Sequence, residues 1–186
     1  VDAAAAKAKT IKLGPGIDRD TKMGPLVSAE QRDRVVQYQK IGATEAKVAA
    51  GGGVPKQFAK GWYVEPTIFY DVDNGARIAQ EEIFGPVMSI IPFKDEADAI
   101  RIANDTPYGL AAAVWTRDIY KAFRVVKSLE AGIVWVNHMQ PTMLEAPWGG
   151  YKMSGFGREL GHWGVEEYLE TKQIYINLDE APIAWY

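Results

Sequence analysis

At 186 residues, with 47% apolar and 24% charged side chains and a formal net charge of −3, the chain has the make-up of one folded globular domain rather than a disordered segment. Its lysines and arginines are dispersed among acidic residues, which leaves no basic stripe for nucleic acid, and its longest apolar runs, such as 87–93, are broken by Ser89 and Pro92 far short of the roughly 20 residues a membrane-spanning helix needs. The chain has no cysteine, so it supplies neither disulfides nor zinc–cysteine centres nor a thiol nucleophile, and its redox compartment stays open.

The N-terminal run Val1-Asp2-Ala3-Ala4-Ala5-Ala6-Lys7 puts an acidic residue first and lysine after the alanines, the wrong order for a secretory leader, and a cytoplasmic location is expected. A helix that opens on the first residue, with no initiator methionine, is expected of a chain that was cut, or begins, inside a longer design; removal of the methionine is the other reading. Gly14-Pro15-Gly16 ends that helix, because glycine leaves the right-handed region easily and proline cannot continue the ladder. After a polar loop over 17–27, Ser28-Ala29-Glu30-Gln31 reads as a capping box in which the hydroxyl and the amide satisfy each other's free backbone donors. A helix follows from Ala29 toward Gly42, with Val35, Val36, Tyr38 and Ile41 on its apolar face.

A short strand over 47–50 leads into Gly51-Gly52-Gly53. The aromatic and β-branched stretch 62–70 is extended, and Pro66 assigns it to an edge or a kinked strand. A short helix is expected over 76–82. From Val87 the pattern is β-α-β-α-β: strands 87–92, 111–115 and 133–137, helices 96–104 and 117–129. Strands that are apolar throughout and joined by helices predict a three-layer α/β/α arrangement with a mainly parallel sheet. A loop with Pro141, Pro147 and Gly149-Gly150 then precedes a helix over 158–169. The last element is a strand over 171–178, with Ile174, Ile176 and Leu178 on one face and Gln173, Tyr175 and Asn177 on the other.

Phosphate-loop chemistry finds little support. Gly51-Gly52-Gly53 lacks the G-x-G-x-x-G spacing, no Gly-Lys-Ser/Thr occurs, and no apolar strand leads into the glycines of 155–161. Asp18-Arg19-Asp20-Thr21-Lys22 begins like a calcium loop but sets Lys22 where an oxygen ligand belongs. His138 and His162 have no partner at helical or strand spacing, and a structural role suits both. Glu81-Glu82-Ile83-Phe84-Gly85-Pro86 is different, because Gly85-Pro86 forces a turn at the mouth of an apolar strand, where α/β sheets collect ligands. A carboxylate there can accept both hydroxyls of a ribose while the aromatic covers a flat ring. The competing reading is a solvated helix end.

Gln80-Glu81-Glu82-Ile83-Phe84-Gly85-Pro86-Val87 and Glu145-Ala146-Pro147-Trp148-Gly149-Gly150-Tyr151-Lys152-Met153-Ser154-Gly155-Phe156-Gly157-Arg158-Glu159-Leu160-Gly161 resemble signatures near the C-terminal end of NAD(P)-dependent aldehyde dehydrogenases. The likeness continues through Met23-Gly24-Pro25-Leu26-Val27-Ser28, Asn104-Asp105-Thr106-Pro107-Tyr108-Gly109-Leu110 and Gly132-Ile133-Val134-Trp135-Val136-Asn137. It implies that Glu82 binds the nicotinamide-side ribose of NAD or NADP and that Phe84 lies by the nicotinamide. Trp148 takes the place of a tunnel aromatic facing the aldehyde, and tryptophan followed by glycines resembles the betaine aldehyde branch, where cation–π attraction holds a trimethylammonium group. Thr142 matches a more variable tunnel position. Plain core packing is the other reading of Trp148.

The resemblance further implies that 1–170 is the C-terminal part of the catalytic domain, that 171–186 is an oligomerisation strand and tail, and that the partners are a small aldehyde and further copies of the chain. In that family the nucleophilic cysteine, the general base and the nucleotide-binding domain lie upstream of the segment matching Val1. No catalytic residue is therefore assigned here, and the isolated chain is expected to be inactive. The alternative is a non-catalytic folded fragment that acts as a self-association module.

Overall fold

The computed structural model describes residues 1–179 and Ala181, which divide into two units, Val1–Pro107 and Tyr108–Tyr186. In the first, helices α1 (Asp2–Lys9) and α2 (Ala29–Glu45) pack on a sheet of β1 (Lys47–Ala50), β2 (Thr67–Tyr70) and β3 (Val87–Ile90), with the short helix α3 (Arg77–Gln80) between β2 and β3 in sequence. The strand order is β1-β2-β3; β2 runs antiparallel to β1 and parallel to β3.

Alternation along β2 explains why helices are needed on both faces. Phe69, fully buried, points into a cluster with Val35 and Tyr38 of α2 and with Val64, Val72, Ile78 and Ile83. Ile68, one residue earlier, points the other way and meets Ala5 and Ala8 of α1 and Ala50 of β1. The alanines, having no bulk beyond Cβ, let α1 lie close on that face. The three-layer expectation thus holds within this unit, around a mixed sheet.

Pro66 does not make β2 an edge strand, since β2 is central. The proline sits one residue before the ladder, which opens when Thr67 N donates to Pro86 O at 2.9 Å, so no ladder bond is missing. The glycine run is a packing feature. Gly51 and Gly52 take φ of 70° and 101°, a Cβ on Gly51 would lie 2.2 Å from Pro66 O, and Gly52 N donates to Thr67 Oγ1 at 2.9 Å. Helix α4 (Glu96–Asn104) is capped by Asp95, whose side chain accepts from Asp98 N.

In the second unit β4 (Tyr108–Gly109) pairs with β7 (Tyr151–Lys152), and β5 (Ala111–Val114) pairs in parallel with β6 (Ile133–Val136). The crossover helix α5 (Ile119–Ser128) starts two residues later than the sequence pattern suggests, because Asp118 caps it by accepting from the amides of Tyr120 and Lys121. The expected succession of three apolar parallel strands is divided: β3 pairs with β2, and β5 with β6. An apolar strand pattern fixes burial but does not name the neighbour.

Helix α6 (Gly161–Glu166) is shorter than the expected 158–169. Gly155, Gly157 and Leu160 all take positive φ, so a right-handed helix cannot begin before Gly161. The strand expected over 171–178 is corrected: these residues belong to no helix or strand, and Ile174, Ile176 and Leu178 are exposed. Strands are defined by ladders, and among the described residues none pairs with this segment. No helix among the described residues is long and apolar enough to cross a membrane.

One position sets two rules against each other. Replacing a mid-helix glycine by alanine normally stabilises by up to about 1 kcal/mol. At Gly42, however, the new Cβ would fall 2.5 Å from Cζ of Phe69, which is fully buried and cannot withdraw. Gly42→Ala is therefore expected to destabilise the chain by about 1–3 kcal/mol, read as a lowered midpoint in thermal or urea unfolding; an unchanged or raised midpoint would contradict this packing.

Candidate functional site

The segment 81–86 leaves α3 and enters β3, and its two neighbouring carboxylates are placed differently. Glu81 is consumed by the protein. Arg77 donates from Nε to Oε1 and from Nη2 to Oε2, each at 2.9 Å, and the Tyr38 hydroxyl donates to Oε2 at 2.7 Å. The Arg77 bonds first, then that of Tyr38, hold the Glu81 carboxyl down at about 2, well below its ordinary value. The same bonds push the Tyr38 phenol and the Arg77 guanidinium up. Glu82 is likewise exposed, but among the described residues its carboxylate has no hydrogen bond or ion pair.

The backbone beneath Glu82 is nevertheless fixed. Arg34 of α2 donates to Glu82 O, and Gln31 Nε2 donates to Ile83 O at 3.2 Å and to Phe84 O at 2.8 Å. The capping box is only half formed: Ser28 Oγ accepts from Gln31 N at 3.1 Å, and the Gln31 side chain turns its Nε2 to the loop. Ile83 is buried as a plug in the α2 cluster. Phe84 takes φ 57°, which costs a non-glycine residue about 1–2 kcal/mol, and leaves its ring 75% exposed. Gly85 cannot carry a side chain, since a Cβ there would lie 2.4 Å from Cγ2 of fully buried Val35. Glu82 and Phe84 thus stand together on a pinned loop with free side chains, an arrangement able to accept two hydroxyls and cover a flat ring.

Thr142 and Trp148 belong to the second unit. Trp148 is half-buried, its backbone paired with Glu159 by two bonds of 2.7 Å, and its ring lies 6.4 Å from that of Trp135 at 52°. Trp135 Nε1 donates to Pro141 O at 3.2 Å, which ties the start of the exposed Thr142 segment to the same aromatic pair. Trp148 also lines an open hollow of about 740 Å³ with Phe156, Arg158, Leu160 and Tyr168. Arg158 shapes its wall by donating to Gly150 O at 3.1 Å and Gly157 O at 2.6 Å.

The histidines serve locally: His138 Nδ1 accepts from Met139 N at 2.8 Å, and the His162 ring lies 3.6 Å from that of Trp163. Among the described residues no group of three His, Asp or Glu side chains could hold a metal ion. Sequence reasoning missed Arg34 and Tyr38 as supports of the 81–84 loop; they lie far away in sequence, and only their helical register with Gln31 and Val35 on α2 hinted at a shared face.

The model of the Aldehyde dehydrogenase family matches residues 1–174. A betaine aldehyde dehydrogenase of Bacillus subtilis is 49% identical over 97% of this chain and 37% of its own length. A peroxisomal aminoaldehyde dehydrogenase of Pisum sativum is 43% identical over all of this chain and 37% of its own. The crystal structure of a Staphylococcus aureus betaine aldehyde dehydrogenase in complex with NAD+ superposes with a TM-score of 0.93 at 45% identity, covering 99% of this chain and 37% of that one. The chain thus spans a little over a third of the length of the relatives it matches.

The Glu81 bonds have a pH signature. Because this carboxyl titrates lower in the folded chain than in the unfolded one, its contribution to stability is complete above about 4.5 and is lost as pH falls through about 2. Carboxyl-selective NMR titration should find one glutamate midpoint near 2, and Glu81→Gln should remove that resonance. A Glu81 midpoint at the ordinary value would refute the described bonding.

Proposed function

The chain belongs to the aldehyde dehydrogenase family, and on that membership we propose that it forms part of an enzyme oxidising an aldehyde, betaine aldehyde foremost, to its carboxylate with NAD or NADP. The observation that carries this is the division of labour between Glu81 and Glu82: one carboxylate is locked in place, and the next is left free beside an uncovered phenyl ring on an anchored loop. Glu82 would hold the ribose hydroxyls, and Phe84 would lie against the nicotinamide. When bound, NAD or NADP would serve as hydride acceptor. The NAD+ complex of the Staphylococcus aureus relative supports this assignment.

Trp148, backed by Trp135, would present an aromatic face to the aldehyde, with Thr142 nearby on the same segment. For a trimethylammonium substrate such a face contributes about 0.5–2 kcal/mol per ring. In this reading 1–170 is the catalytic-domain portion and 171–186 the assembly segment, and the location is cytoplasmic, although some plant relatives are named chloroplastic or peroxisomal. The covalent step of the family needs a thiol, and this chain has none. Its contribution would therefore be binding groups for cofactor and aldehyde rather than the nucleophile.

With betaine aldehyde and NAD+, the 186-residue chain alone should give no rise in absorbance at the NADH wavelength, whereas the complete translation product that contains it should give one. A rise from the chain alone would overturn the assignment of the nucleophile to another segment, and none from the complete product would overturn the enzyme reading. A second reading, self-association, is favoured by the alternating exposed Ile174, Ile176 and Leu178. Light scattering on the chain should then report dimers or larger species, and a strict monomer at all concentrations would reject it.

A further inference from the structure

Glu82 can meet a cofactor only if the loop carrying it holds still, and the first fixed point of that loop is its neighbour. The Glu81 carboxylate is gripped from two helices, by the Arg77 guanidinium of α3 and by the Tyr38 hydroxyl of α2. The Tyr38 ring, buried in the α2 cluster, also has the guanidinium carbons of Arg34 and Arg77 at 5.5 and 5.8 Å from its centre. Arg34 passes on to Glu82 O, and Gln31, two helical turns before Tyr38, takes Ile83 O and Phe84 O. Each residue from 81 to 84 is thereby tied to α2, and Tyr38 makes the tie that orders the α3 end. Core packing accounts for the ring but not for the hydroxyl, which a phenylalanine would dispense with at nearly equal volume.

We infer that Tyr38 is a positioning residue for the cofactor site: through its hydroxyl it fixes Glu81 and so aims Glu82 and Phe84. This rests on the cofactor reading of Glu82 given above. The bond is charge-assisted and part-buried; without it Glu81 keeps its two bonds to Arg77 but loses its tie to α2. A merely structural tyrosine would behave otherwise, since its removal would lower stability throughout the unit without singling out the loop or the cofactor.

The test compares Tyr38→Phe with Glu82→Gln in the complete translation product. Calorimetric titration with NAD+ should show binding weakened several-fold in Tyr38→Phe, because the loosened loop must then be ordered when the cofactor binds. The KM for NAD+ should rise with it while the KM for the aldehyde stays put, and hydrogen exchange should quicken at the amides of 82–84 ahead of the rest of the unit. If Glu82→Gln weakens NAD+ binding and Tyr38→Phe leaves both affinity and loop exchange unchanged, the positioning role is wrong and the Glu82 reading stands. Unchanged affinity in Glu82→Gln sinks that reading, and this inference with it. Uniformly faster exchange across the unit in Tyr38→Phe also overturns the inference. If Tyr38→Phe does not fold, Arg77→Lys, which is exposed and loses the two-pronged grip on Glu81, is judged by the same outcomes.

Discussion

The close approach of helix α2 to the chain beneath it is the constraint on which the first unit depends. Val35 and Phe69 are wholly buried, and both abut glycines that have no room for a methyl group: Gly85 against Val35, Gly42 against Phe69. Dense packing of this kind transmits position, because a side chain with no void beside it cannot shift without moving its neighbours. The helix therefore serves as a ruler for the loop leading into β3. Its polar residues on the same side, Gln31, Arg34 and Tyr38, then hold the loop by its carbonyls and by the Glu81 carboxylate.

Two adjacent glutamates show how local chemistry sets neighbouring carboxylates apart. Glu81 is bonded by a guanidinium fork and a phenol, which gives it a fixed charge and a fixed direction. Glu82 keeps its hydration and its freedom while its own backbone is clamped. Its carbonyl is held by Arg34, so the main chain beneath the free carboxylate is already ordered. The second unit follows a similar plan, with the Trp148 backbone paired to Glu159 and its ring held beside Trp135.

Much of this was legible in the residues. The Ser28 half of the capping box, the helix over 96–104 and the strand over 47–50 follow from local rules and agree with the structure. Non-local choices were not: that β2 is central, that β3 takes β2 as its neighbour, and that Gln31 spends its amide on residues some fifty positions away. Each is decided by a partner distant in sequence, and periodicity carries no information about such partners. Segment 171–178 fails for a related reason. Its alternation describes a strand, but a strand forms only where another backbone is there to meet it. Of the site, the motif pointed to Glu82 and Phe84, whereas the free and bound states of the two glutamates became visible only with Arg77 and Tyr38 in place.

The left-handed backbone at Phe84 bears on how this protein can change over time. Glycine would occupy that conformation without strain, so among single substitutions at this position the most comfortable one for folding is also the one that deletes the ring. Random mutation filtered by foldability alone would favour glycine there, so a phenyl group at 84 is carried at a conformational cost.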